Sequence, residues 1–244
     1  SIDRFFIDFD FDVIVNCAAY TAVDKAESDR EKAFSINAEA PRKLAEKAHH
    51  KGAKMIHIST DYVFGSSNCR PLSPEDPKNP DSVYGQSKLK GEENVVNNCP
   101  ESVIIRTSWL YSAVGQNFLK TMLRLGSERD HLNVVFDQIG TPTLASDLAG
   151  AILAVAESKD DFVPGVYHYS NEGVSSWYDF AVAIFRQANI SCNVFPVKSD
   201  QFPTAAPRPA FSVMDKSLIK ETYGITIPHW QDSLAECLKQ MERA

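Results

Sequence analysis

The 244-residue chain is long enough for one large domain or a domain with a lobe, and 43% hydrophobic with 23% charged residues is the balance of a soluble globular protein with a real core. Its net charge of −7 argues against non-specific nucleic-acid binding, and no apolar run reaches the ~18 residues of a membrane span. The acidic, aromatic start Ser1–Asp12 does not read as a signal peptide, and five scattered cysteines without a C-x-x-C pair suit reduced thiols of a cytoplasmic protein.

Strand and helix signals alternate through the first half. Val13–Ala19 is a short, nearly all-apolar run, as in a strand buried on both faces. A helical stretch follows from about Asp29 to Lys51, with Leu44, Ala45 and Ala48 on one face, Gly52 placed to end it, and Pro41 set to kink or divide it. His49 and His50 read as solvated side chains at its end, and no metal site is expected because no second ligand pair has metal-site spacing. Lys54–Ser59 is the next strand, 65–82 a loop, and Ser102–Arg106 another strand after an intervening helix. Such repetition predicts an α/β fold with a parallel, doubly wound sheet and right-handed crossovers.

Beyond residue 110 the pattern loosens. Asn117–Leu125 reads as a helix, Ser146-Asp147 as the capped start of a helix to Glu157, and Val166–Tyr169 as a strand. Ser175-Ser176 caps a helix to about Gln187, and an amphipathic helix runs near Ser233–Met241 after a proline-rich tail. The expected division is a dinucleotide-binding domain at 1–112 plus about 141–187, and a smaller substrate lobe at about 113–140 plus 188–244. All 11 glycines lie at or after Gly52, so the glycine-rich phosphate turn that opens a Rossmann-like fold is not in this sequence; either the first β-α-β unit has been removed or the sequence omits residues that belong to it.

Tyr84 and Lys88 carry the chemistry in this reading. They lie four apart in Val83-Tyr84-Gly85-Gln86-Ser87-Lys88 and so share a helix face. An ammonium beside a phenol stabilises the phenolate, which prepares the tyrosine to exchange a proton with a carbonyl or alcohol oxygen. With 8 tyrosines in the chain, roughly half a Y-x-x-x-K match is expected by chance, so the context decides. Three segments leave the ends of strands: Asn16–Glu27, Ser59–Phe64 and Arg106–Tyr111. Ligands in open α/β sheets bind outside the carboxyl ends of strands, so these segments and Tyr84 should meet in one cleft.

The runs VNCAAYTAVDKAE, STDYVF and RTSWLY, together with Y-x-x-x-K, resemble the extended short-chain dehydrogenase/reductase family. The resemblance is close over about residues 12 to 155 and looser through Gly140–Thr143, Ser146–Ala149 and Arg208–Ala210. It implies NADPH- or NADH-dependent reduction of the C4 ketone of a dTDP-sugar, dTDP-4-dehydro-β-L-rhamnose. It further implies that Tyr84 is the proton donor, that Lys88 holds the nicotinamide ribose and lowers the pKa of Tyr84, and that Thr60 replaces the serine of the family's triad. Ala18, Ala19, Tyr20 and Thr21 would line the cofactor, while Asp61, Trp109 and Arg208 would meet the substrate.

Plainer readings stand beside these. Thr60 and Asp61 could cap a turn, Trp109 could be core, Arg208 could be a surface residue, and Asn37 could either orient backbone beneath the site or be solvated. A nucleotide-sugar 4,6-dehydratase would need an Asp-Glu pair after the threonine, whereas Tyr62 follows Asp61 here. A 4-epimerase or other family reductase is the nearer alternative, and a non-catalytic subunit resembling the methionine adenosyltransferase β-subunit is the alternative of a different class. A homodimer is compatible with the sequence; a Mg²⁺-bridged one is not expected, because Gln231 rather than a carboxylate follows Trp230.

Overall fold

The computed structural model describes residues 2, 6, 11–65, 69–158 and 161–242, so most of the run Ser1–Asp12 and the tip of the 65–82 loop lie outside the described residues. Strand β1 (Val13–Asn16) leads through short helices α1 (Val23–Ala26) and α2 (Arg30–Phe34), a π-helical stretch (Ser35–Glu39) and α3 (Ala40–Lys51) to β2 (Lys54–Thr60). Pro41 falls at the start of α3, where its missing N–H costs nothing, and Gly52 ends that helix in the left-handed conformation at φ 68°. A 3₁₀ turn (Asp61–Val63) and the 65–82 loop then deliver α4 (Val83–Asn98) and β3 (Val103–Thr107).

Next come β4 (Leu110–Tyr111), α5 (Phe118–Glu128), β5 (His131–Val135), β6 (Ile139–Gly140), β7 (Thr143–Leu144), α6 (Ala145–Glu157) and β8 (Gly165–His168). The chain closes with β9 (Ser175–Ser176), α7 (Trp177–Gln187), β10 (Asn193–Val197), α8 (Ser217–Tyr223) and α9 (Trp230–Glu242). The helix expected from Ser146-Asp147 begins one turn-end earlier. Asp147 caps nothing there; its carboxylate instead accepts hydrogen bonds from Asn171 and Ser233 at 2.7 and 2.6 Å, tying α6 to α9.

The main sheet is parallel, in the order β1-β2-β3-β8. Alternate residues serve opposite faces. Met55 and Ile104 pack with Ala45, Ala48 and Val95 of α3 and α4, whereas Ile56, Val103 and Ile105 pack with Leu148, Ile152, Val155 and Ile219 of α6 and α8. Each such fully buried aliphatic side chain is worth about 1.5–3 kcal/mol. Strands β2 and β3 are thus covered on both faces, as their apolar runs predict, whereas the run Val13–Ala19, expected to be buried on both faces, forms a strand only over Val13–Asn16 at the end of the sheet order, with Val15 exposed. A second core gathers α5, α7 and α9 around the parallel pair β5-β10, with Phe180, Ile184 and Leu234 wholly buried. Helix α7 (177–187) packs there. Its apolar face, Phe180, Ala181, Ile184 and Phe185, meets α5 and β5.

Two glycines set α4 flush against its neighbours. A Cβ on Gly85 would stand 2.3 Å from the Tyr62 carbonyl oxygen, and one on Gly91 would stand 2.1 Å from the Asn37 carbonyl oxygen. The backbone of α4 therefore touches both the turn after β2 and the π-helical stretch, which no larger residue would allow. Beneath it Arg106 of β3 forms a buried two-pronged ion pair with Glu92 of α4, at 2.9 and 2.7 Å, and its Nη1 donates to the Pro74 carbonyl.

Candidate active site

Tyr84 and Lys88 lie in the first turns of α4, both buried. Ser82 caps the helix by accepting the Gly85 N–H at 3.1 Å, and Glu27 accepts the N–H of Val83 at 2.9 Å from across the cleft. The carboxyl end of β2 places Thr60 and Asp61 against the phenol. Thr60 Oγ1 donates to Asp61 Oδ1 at 3.0 Å and accepts the N–H of Tyr62 at 3.3 Å, so it caps the 3₁₀ turn and also faces the site. The Tyr62 ring meets that of Tyr84 edge-on, with centroids 5.4 Å apart.

Burial pushes the Tyr84 phenol up to about 12; the Thr60 hydroxyl pulls it down and the Asp61 carboxylate pushes it up. The Lys88 ammonium donates to the Ile58 carbonyl at 2.6 Å, and burial brings it down to about 8 against the opposing pull of Glu92. Sharing a helix face puts the two side chains side by side without fixing what the longer one bonds to. Burial also raises the Asp61 carboxyl to about 6, although the Ser212 and Thr60 hydroxyls pull the other way, and its Oδ2 has no hydrogen-bond partner among the described residues.

The loop after β1 is held by Asn37. This wholly buried amide accepts the Tyr20 N–H at 2.7 Å and donates to the Tyr20 carbonyl at 3.1 Å and to Ser87 Oγ at 2.9 Å; Ser87 in turn donates to the Tyr84 carbonyl at 2.8 Å. Asn37 therefore orients backbone beneath the site and is not solvated. Ala18 and Thr21 remain exposed and Ala19 half-buried at this carboxyl end of β1, while His57, wholly buried, accepts from Asn16, whose own oxygen accepts the Ala18 N–H. This clamped backbone edge stands at the carboxyl end of a strand, where open α/β sheets bind their ligands.

The lobe supplies the other wall. Trp109 takes a left-handed backbone, φ 47°, and stacks on Trp177 with centroids 3.6 Å apart and 7° between planes. Its indole lies over Gly140 beside Ser212, the residue that reaches back to Asp61. Trp109 is half-buried, with one face on a partner ring, so it is neither plain core nor free. Trp177, with Phe118, Met122, Asn133, Gln138, Thr204, Arg208 and Asp24, lines a cavity of about 300 Å³. Arg208 pairs with Asp24 at 2.6 Å and is not a loose surface residue. A hollow of about 480 Å³ along the outer flank of β1 lies away from Tyr84. Ser212 and Trp177 were not singled out from the sequence, since neither sits at a periodic or motif position that marks it; Asp24 falls within the VNCAAYTAVDKAE run, but nothing in that run points to a partner at Arg208.

A family model described as the RmlD substrate binding domain matches residues 1–243. The chain belongs to the RmlD family. Within it, this chain is 43% identical to the dTDP-4-dehydrorhamnose reductase of Sinorhizobium fredii over 91% of its own length and 78% of the relative's. A dTDP-4-dehydrorhamnose reductase structure from Clostridium acetobutylicum superposes with a TM-score of 0.95 at 42% identity, over 99% of this chain and 85% of that one. The Bacillus anthracis dTDP-4-dehydrorhamnose reductase, solved in complex with NADP, superposes with a TM-score of 0.94 at 38% identity, over 98% and 84%. No helix among the described residues of this RmlD-family chain is long and apolar enough to cross a membrane.

Proposed function

We propose that this protein reduces the C4 ketone of dTDP-4-dehydro-β-L-rhamnose to dTDP-β-L-rhamnose with NADPH. The observation that carries this reading is the line Tyr84–Thr60–Asp61 at the carboxyl ends of the strands, in a chain about 40% identical to reductases of that name. NADPH, held at its nicotinamide end by residues 18–21 and Lys88, supplies the hydride. Tyr84 gives the proton to the ketone oxygen as it becomes an alkoxide. A phenol raised to about 12 keeps its proton until that stronger base forms, which suits a donor. Thr60, donating to Asp61, links the phenol to a carboxyl that can pass a proton onward, and the unpartnered Asp61 Oδ2 is free for a sugar hydroxyl. Arg208 meets the diphosphate, since a guanidinium is the usual bidentate partner of phosphate, and Trp109 packs against the sugar.

The reading includes a cytoplasmic setting, in keeping with five cysteines that are all free, and a homodimer, which sedimentation of the purified chain checks. The deciding experiment follows NADPH oxidation with enzymatically generated dTDP-4-dehydro-L-rhamnose. Turnover yielding dTDP-L-rhamnose is expected; binding of dTDP without turnover would move the protein to the non-catalytic alternative.

A further inference from the structure

The stretch Ala22–Glu27 takes no part in the chemistry above, yet it touches both walls of the site. Asp24, in α1 just past the backbone that meets the nicotinamide end, divides its carboxylate between two groups far away in sequence. Oδ1 accepts the Ala206 N–H at 3.0 Å and Oδ2 accepts Arg208 Nη2 at 2.6 Å, while Arg208 Nη1 donates to the Ala206 carbonyl at 3.3 Å. Between Gln201 and Ser217 the chain forms no helix or ladder, only single bridges at Phe211 and Met214, so a long side chain there has little local structure to aim it. Asp24 and Arg208 both line the 300 Å³ cavity that also holds Trp177.

The pair is a poor stability element. The Asp24 side chain is 47% exposed, and ion pairs of that exposure contribute little to folding. What it does supply is direction. One carboxylate fixes the backbone of the turn and the plane of the guanidinium together, leaving further N–H groups of the fork for an anion. Although burial alone would raise the Asp24 carboxyl, the Ala206 amide and Arg208 hold it below the usual carboxylate range, so it is charged at neutral pH.

We infer that Asp24 is a positioning residue for the sugar nucleotide, aiming Arg208 at the diphosphate of a ligand seated in this cavity. The inference rests on the sugar-nucleotide reading and names a residue that links the cofactor-side wall to the substrate grip. The favourable effect of a fixed fork has to exceed the repulsion between Asp24 and the incoming phosphates, and the experiment reads which wins.

The test is calorimetric titration of the full chain with dTDP, without cofactor, for wild type, Asp24→Ala, Asp24→Asn, Arg208→Ala and the Asp24→Ala/Arg208→Ala double variant, each with its thermal midpoint. Loss of an aimed, charge-assisted contact should weaken dTDP binding by about fivefold to tenfold in Asp24→Ala, with a midpoint close to wild type. Asp24→Asn keeps the size but loses the charge and has one acceptor oxygen where Asp24 uses two, for the Ala206 N–H and for Arg208, and should weaken binding in the same direction. The double variant should bind no more weakly than Arg208→Ala, because Asp24 acts only through Arg208. In turnover, KM for the dTDP-sugar should rise by the same factor as the dTDP dissociation constant, with kcat changed by less than about twofold. Binding by Asp24→Ala that equals or exceeds wild type, or additive losses in the double variant, would overturn the role of Asp24 while leaving the reductase reading in place. A wild-type chain that does not bind dTDP would overturn both.

Discussion

The two walls of the cleft are built differently. On the sheet side Tyr84, Thr60, Asp61, Lys88 and Asn37 are all buried, their backbones pressed together through Gly85 and Gly91 and underpinned by the Arg106–Glu92 pair. On the lobe side Arg208 sits on an irregular stretch steadied by one half-exposed carboxylate, and Trp109 keeps a strained backbone under its stacked ring. The difference teaches a division of labour. Under the proposed function, proton transfer, which tolerates little misplacement, would be carried by packed regular elements, and the grip on a flexible diphosphate would be left to a segment that can adjust.

The sharpest way to break this contrast is Tyr84→Phe. Removing the proton donor should lower kcat by about 10²–10⁴-fold while leaving the dissociation constant for dTDP near wild type, as read by steady-state kinetics and calorimetry. Retention of near-normal turnover would remove Tyr84 from the mechanism.

Asp61→Asn comes next and reads on folding. An aspartate raised from 3.8 to about 6 in the folded state holds its proton more tightly there than in the unfolded chain. Its contribution to stability is therefore most favourable below 3.8 and falls as pH rises through about 6. The asparagine variant lacks this loss, so urea unfolding should show it more stable than wild type at neutral pH by roughly 2–3 kcal/mol, the gap closing toward acid. A gap independent of pH would mean that burial does not raise the Asp61 carboxyl in the folded chain.

Gly85→Ala tests the packed wall directly. Alanine gains about 1 kcal/mol in helix propensity, but its methyl would overlap the Tyr62 carbonyl, and overpacking of this kind costs about 1–3 kcal/mol. Net destabilisation with a fall in kcat is expected; a stabilised, fully active variant would show that α4 can slide. Arg208→Lys should produce the smallest effect, raising KM severalfold with kcat nearly unchanged, because a lysine keeps the charge and loses the fork.

Much of the packed wall was readable from the residues. Apolar runs gave the strands, and the four-residue spacing put Tyr84 and Lys88 on one helix face. Ser176 capped its helix as expected, in a full capping box with Asp179. The acidity of Tyr84 was not readable, because it depends on burial and on the Thr60 and Asp61 side chains beside the phenol. The lobe wall was harder. Asp24 and Arg208 meet across 184 positions, and no periodicity announces a contact between a short helix and a coil. The packing of α7 was likewise hidden: its amphipathic face reads from the sequence, but which core receives it is decided by β5 and β10, which pair only in three dimensions.

The Trp109–Trp177 stack also makes the cleft visible to light. The chain has 3 tryptophans, and two of them are face to face 3.6 Å apart while Trp230 packs edge-on against Phe180 elsewhere. Parallel indoles this close share their excited states, so their near-ultraviolet circular dichroism depends steeply on spacing and tilt. With Trp177 on the cavity wall and Trp109 reaching toward Asp61 through Ser212, a nucleotide that shifts either ring would report its own arrival without any label.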